Sequence, residues 1–127
     1  MTKLSALLLG IAILAASFAN STAAEDVLHL LSSKLSAIRS SASSERVALE
    51  HVPEVRGLVG IDRVQLLSSL GQPDSCLHRS PEDCMSLPTW VYAFVHLPPG
   101  SRGGGPELYV SFDQHSVVQV AQWKLSR

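Results

Sequence analysis

The spacing of apolar positions changes along this chain, and each change marks a different kind of element. From Leu4 to Ala19 the run is apolar except at Ser5, Gly10 and Ser17. Over 25–44 the pattern becomes periodic. Val27, Leu30, Leu31, Leu35 and Ile38 recur at three- and four-residue steps, which predicts an amphipathic helix. The serine cluster at 40–44 weakens its end, because serine side chains compete for backbone hydrogen bonds. The stretch 45–59 has no clear period. Glu45 to His51 fits a further helical turn or two, and Pro53 interrupts it.

A second helix is predicted over Arg63 to Leu70. Asp62 stands as N-cap with Gln65 three residues on, and Ile61 and Leu66 flank the cap as a hydrophobic staple. Val64, Leu67 and Leu70 extend its apolar face; Gly71 and Pro73 end it. Further on the period falls to two. Trp90 to Leu97, Glu107 to Phe112 and Val117 to Leu125 read as strands, joined by a mobile Pro- and Gly-rich loop at 98–106 and a turn at 113–116. The expected fold is α+β: two N-terminal helices packed on a three-stranded antiparallel meander, ααβββ.

The alternation allows two phases for the first strand. In one, Val91, Ala93, Val95 and Leu97 face the helices with Leu108, Val110, Phe112, Val118 and Val120. Trp90, Tyr92, Phe94, His96, Tyr109, Ser111, Gln119 and Trp123 then form an open aromatic face of the kind protein interfaces favour. In the other, Trp90, Tyr92 and Phe94 are core. The contact residues expected from the first phase are Trp90, Tyr92, Phe94, Tyr109 and Trp123, with Arg102 in the long loop.

Composition changes the picture at the N-terminus. Lys3, the apolar run and the small residues Asn20-Ser21-Thr22-Ala23-Ala24 have the three parts of a cleaved secretory signal. A cut after Ala24 is expected, with a cut after Ala19 as the alternative. Residues 1–24 are then leader, 25–57 a helix and connector, and 58–127 a helix plus sheet, the last two forming one domain. Of 127 residues this leaves 103, and loss of Lys3 takes the net charge from −1 to −2. That balance offers nothing to nucleic acid or an anionic membrane. Localisation is expected to be extracytoplasmic, periplasmic or secreted, with no stable membrane anchor after cleavage.

In an oxidising compartment the only two cysteines, Cys76 and Cys84, are most simply a disulfide. Closing so short a loop stabilises by about 2.5 kcal/mol in the chain-entropy model. A metal site built from Cys76, His78 and Cys84 lacks a fourth ligand at a regular spacing. Catalytic signatures are missing: no Gly-x-Ser-x-Gly, no Walker loop, no His-Glu-x-x-His. His29, His51, His78, His96 and His115 show no paired spacing. The expectation is a non-enzyme with no cofactor, unless a pocket gathers His96, His115 or Asp113 in three dimensions.

Several local motifs occur in a recognisable order: Gly60, Val64, Leu70-Gly71-Gln72-Pro73, Trp90-Val91-Tyr92, Leu108-Tyr109-Val110-Ser111-Phe112-Asp113 and Val117-Val118. In this the chain resembles the SmpA/OmlA (BamE-like) family of small envelope proteins, across roughly Leu58 to Val120, about half its length. It is also similar in expected fold to β-lactamase-inhibitory-protein-type domains. Family lipoproteins carry a lipidated cysteine at the mature N-terminus; here no cysteine precedes Cys76. The resemblance implies a small protein-binding module, in envelope assembly or maintenance. The alternative is a secreted inhibitor of a hydrolase, such as a β-lactamase or a cell-wall lytic enzyme, with loop 98–106 as the inserted element.

Overall fold

The computed structural model describes residues 23–42, 44–77, 84–100 and 103–125. Residues 1–22 of the expected leader 1–24 lie outside these residues, as do His78 and Arg102. Among the described residues helix α1 covers 23–39, and its buried positions there are Ala24, Leu28, Leu31, Leu35 and Ile38. That alternating four- and three-residue spacing keeps one stripe on the core. Leu30, expected on the stripe, falls to its side and is exposed.

Helix α2 spans Arg63–Leu70, as the capping pattern predicts. The Asp62 side chain accepts a hydrogen bond from the Gln65 backbone N–H at 2.8 Å, satisfying one of the helix's orphan donors. Gly71 ends the helix at φ +76°, a conformation glycine adopts without strain. Ile61, Leu66 and Leu70 are buried, whereas Val64, expected on the apolar face, points to solvent.

The ααβββ architecture requires correction. The chain is α+β overall, but its described residues form five strands in two antiparallel sheets. Strands β2 (Thr89–Ala93), β4 (Pro106–Phe112) and β5 (Val118–Leu125) form a three-stranded sheet in the order β2-β4-β5. Strands β1 (Val47–Ala48) and β3 (Val95–His96) form a separate pair, and a 3-10 turn covers Arg56–Leu58. The expected first strand is therefore two strands, and part of the ambiguous connector is a strand rather than helix.

The physical cause lies at Phe94 and Pro106. Phe94 N–H donates to the Pro106 carbonyl at 2.9 Å, but proline has no N–H to return the bond. The Phe94 carbonyl instead accepts from Leu49 N–H at 3.2 Å, and the chain leaves one sheet to pair with β1.

The core settles the phase of β2. Trp90, Tyr92 and Phe94 are each 1 % exposed or less and cluster with Leu108, Val110, Phe112 and the helix stripe. Trp90 meets Phe112 edge-on at 4.8 Å between centroids, and Phe94 meets Trp123 at 5.0 Å. Polar handles are all satisfied. Trp90 Nε1 donates to Cys84 O at 2.7 Å, Tyr92 OH to Gly71 O at 2.8 Å, and Trp123 Nε1 to Pro53 O at 2.8 Å. Burial of the Tyr92 phenol pushes its pKa well above the ordinary tyrosine value, with a further small rise from Asp74 set against a lowering by Arg39.

Candidate functional site

With the helices on one side of the β2-β4-β5 sheet, the residues of its opposite face follow from the register. Thr89, Ser111 and Val120 form one cross-strand row; Val91, Tyr109 and Gln122 the next; Ala93, Glu107 and Lys124 the third. The β2 edge of this face is closed. Val91 is buried yet outside the core cluster. Its backbone is bridged by Ser75, whose carbonyl accepts from Val91 N–H at 2.8 Å. The Asp74 carboxylate accepts from Ala93 N–H at 2.7 Å and is held by Arg39 at 3.1 Å.

The β5 half stays open. Val120 is 43 % exposed, and Gln122 and Lys124 are exposed beside half-buried Tyr109. Lys124 Nζ lies 4.4 Å from the Tyr109 ring centroid, a cation–π contact that holds the lysine stem along the aromatic face. Glu107 sits opposite Lys124 in the ladder, and the Thr89 and Ser111 hydroxyls meet at 3.4 Å. The result is an aromatic and aliphatic centre with a mixed-charge rim.

The expected contact residues divide. Trp90, Tyr92 and Phe94 are core and offer no surface, so the open aromatic face expected from the first phase does not form. Trp123 is half-buried on the helix side, bonded to Pro53 and packed on Phe94. Tyr109 alone of the five aromatics stands on the open face. Val120, Gln122 and Lys124 escaped the sequence reading because a β-bulge at Ser111/Phe112 inserts Gln119 and reverses the phase of β5 beyond Val118. The alternation of Gln122 and Lys124 with Ala121, Trp123 and Leu125 carries that phase; Val118 does not.

Loop 98–106 is tied at its C-terminal end. Arg46 Nε donates to Gly104 O at 3.1 Å, and Gly105 is buried so closely that an added Cβ would stand 2.9 Å from Val95 Cβ. A groove of about 910 Å³ lies there, between Arg46, Leu49, Val52, Pro106 and Leu125. A second groove of about 760 Å³ runs between α1 and α2 beside Glu25, Asp26, His29 and Asp62.

Asp113, His115 and His96 are not gathered. Asp113 Oδ1 accepts from the His115 and Val117 N–H groups and shapes the β4–β5 turn, while His96 lies in β3, beyond the other end of β4. Among the described residues no group of three or more His, Cys, Asp or Glu could hold a metal ion. No described helix is long and apolar enough to cross a membrane.

Cys76 and Cys84 form the expected disulfide, with both residues buried in the core cluster. Arg63 locks the segment that follows. Its guanidinium lies 4.1 Å from the Phe112 ring centroid and donates to the Leu87 carbonyl at 2.6 Å and the Met85 carbonyl at 3.2 Å. Partial burial lowers its pKa. The cysteine pair is thus a brace between α2 and β2, a position that explains why a domain of this size benefits from it. No protein-family model, curated protein or solved structure matches this chain, so what the open face does rests on its own geometry.

Proposed function

We propose that the chain is an exported protein-binding module that docks a protein partner on the β5 half of its open sheet face, in the envelope or outside the cell. The observation that carries this reading is the uncovered patch of Tyr109, Val120, Gln122 and Lys124 on a rigid, disulfide-braced sheet. Aromatic and aliphatic side chains rimmed by polar ones, on a scaffold that need not reorder, are what protein interfaces select. A buried disulfide agrees with maturation in an oxidising compartment such as the periplasm. The SmpA/OmlA resemblance points to envelope assembly or maintenance as the setting.

The test is affinity capture from the native envelope with wild-type protein and with Tyr109→Ala and Lys124→Glu variants. Both positions lie away from the core cluster, so circular dichroism and melting temperature should hold while a specific partner is lost. Equal recovery of the same partner by all three proteins would remove the patch from the interaction.

A further inference from the structure

The geometry of the three-stranded sheet points to a second copy of this chain as the occupant of its free edge, with β5 pairing β5 antiparallel about a twofold axis at Gln122. The pairing needs only the backbone of β5 and holds whatever docks on the open face.

The direction of each backbone group in β5 follows from β4. Phe112 N–H donates to the Pro88 carbonyl, and the Pro106 carbonyl accepts from Phe94 N–H, so the even-numbered residues of β4 bond toward β2. Glu107, Tyr109 and Ser111 therefore bond toward β5, where Lys124, Gln122 and Val120 stand opposite them. Ala121 and Trp123, lying between, aim their N–H and C=O away from the sheet. At Val118 the outward groups are taken by Gly60 N–H at 2.9 Å and the Ile61 carbonyl at 2.8 Å. Beyond the bulge that cover stops. Among the described residues no hydrogen bond reaches the backbone of Ala121 or Trp123 from outside the sheet. The neighbouring segment meets β5 there through a side chain, the Trp123 indole on the Pro53 carbonyl.

A row of unpaired N–H and C=O groups is a template for another strand. The usual protections are missing from Val120 to Leu125: there is no proline and no further bulge. The single charge, on Lys124, is drawn over the Tyr109 ring at 4.4 Å from its centroid rather than out over the edge. At the other side of the sheet Ser75 and Asp74 close Val91 and Ala93, so pairing ends at two copies instead of running on as a fibre.

The side chains choose the register. With Gln122 on the axis, small Ala121 comes opposite large Trp123 of the second copy, and the two residues exchange both backbone hydrogen bonds. The Lys124 stem then lies opposite Val120, and the two Gln122 amides meet each other. Moving the axis to Trp123 or Lys124 brings two indoles or two ammonium groups face to face. Moving it to Ala121 runs the second strand into the Gly60–Ile61 cover. The product is one six-stranded sheet, with the two Tyr109 patches side by side and uncovered. So short a contact lies at the small end of protein interfaces and should dissociate on dilution.

The test is sedimentation velocity on protein purified from cells expressing the full chain, over a wide concentration range, for wild type, Gln122→Lys and Gln122→Glu. Gln122 is exposed, so both variants keep the fold. Wild type should dimerise reversibly. Each variant alone puts like charges on the axis and should weaken the dimer by up to about fivefold, whereas an equal mixture sets lysine opposite glutamate and should restore it. Ala121→Pro deletes an outward N–H that the sheet does not use and should give a folded monomer. Amide exchange at Ala121 and Trp123 should slow as wild-type concentration rises. Wild type that stays monomeric throughout overturns the self-pairing and leaves the edge to a strand of another protein. A dimer indifferent to the Gln122 variants, or one that the mixture does not restore, overturns it by placing the contact elsewhere.

Discussion

Replacing Tyr92 with phenylalanine removes a single oxygen from the core and isolates one contact between helix and sheet. The Tyr92 ring is fully buried, and its hydroxyl donates to the Gly71 carbonyl at 2.8 Å, tying the C-terminal end of α2 to β2. Among the described residues no other hydrogen bond reaches that carbonyl. A buried acceptor left without its donor costs about 1–3 kcal/mol. Gly71 is only half-buried, so water recovers part of the bond, and a loss of about 1 kcal/mol is expected. In a domain of this size that lowers the melting temperature by roughly 4–8 °C.

The same variant carries a signature in pH. Burial raises the folded-state pKa of Tyr92 above its unfolded value, so the stabilisation is fully present below about pH 10. Above that the unfolded chain releases a proton that the folded chain keeps. Stability then falls by up to about 1.4 kcal/mol per pH unit until the pH passes through the raised pKa. Thermal melts of both proteins from pH 7 to 11.5, followed by circular dichroism, read both effects. The wild-type advantage should hold at neutral pH and shrink above pH 10, since phenylalanine cannot ionise. A Tyr92→Phe protein that melts with wild type at pH 7, or a gap between the two that does not close at high pH, refutes the reasoning.

Three other perturbations have magnitudes set by the structure. Cys76→Ser/Cys84→Ser should cost about 2.5 kcal/mol in urea unfolding, the entropy of opening an eight-residue separation, with no change in the native fold at low temperature. Asp62→Ala deletes the α2 cap that accepts from Gln65 N–H and should cost about 1 kcal/mol, whereas Asp62→Asn should be nearly silent in the same titration. Gly105→Ala drives a methyl to 2.9 Å from Val95 Cβ on a neighbouring strand and should destabilise by about 1–3 kcal/mol. The loss should be local, seen as faster hydrogen exchange across the β1–β3 pair.

The helices were legible in the chain because their signals are local. Asp62, Gln65, Gly71 and Pro73 bound α2 by cap and stop chemistry that acts within a few residues, and the three- and four-residue steps marked α1. The candidate surface was legible only in part. Alternation places Tyr109 on that surface, but the phase of Val120, Gln122 and Lys124 depends on the bulge opposite Ser111/Phe112, which exists only when β5 pairs with β4. The loop 98–106, drawn as mobile, is tied at Gly104 and Gly105 by Arg46 and Val95, groups distant in sequence.

What this sequence determines alone is therefore whatever can be decided inside one element: the span of α2, the existence of extended segments, the covalent pairing of its only two cysteines. What needed tertiary structure is every choice between two faces or two partners. Period-two alternation makes Trp90, Tyr92 and Phe94 equally consistent with either side of a sheet. They turned inward because only that side meets α1 and α2, where burying three large aromatics contributes most. One proline lacking an N–H at position 106 and one extra residue at 119 then split the strand and shifted the phase of β5. Each is a small local fact whose consequence exists only once another strand lies beside it.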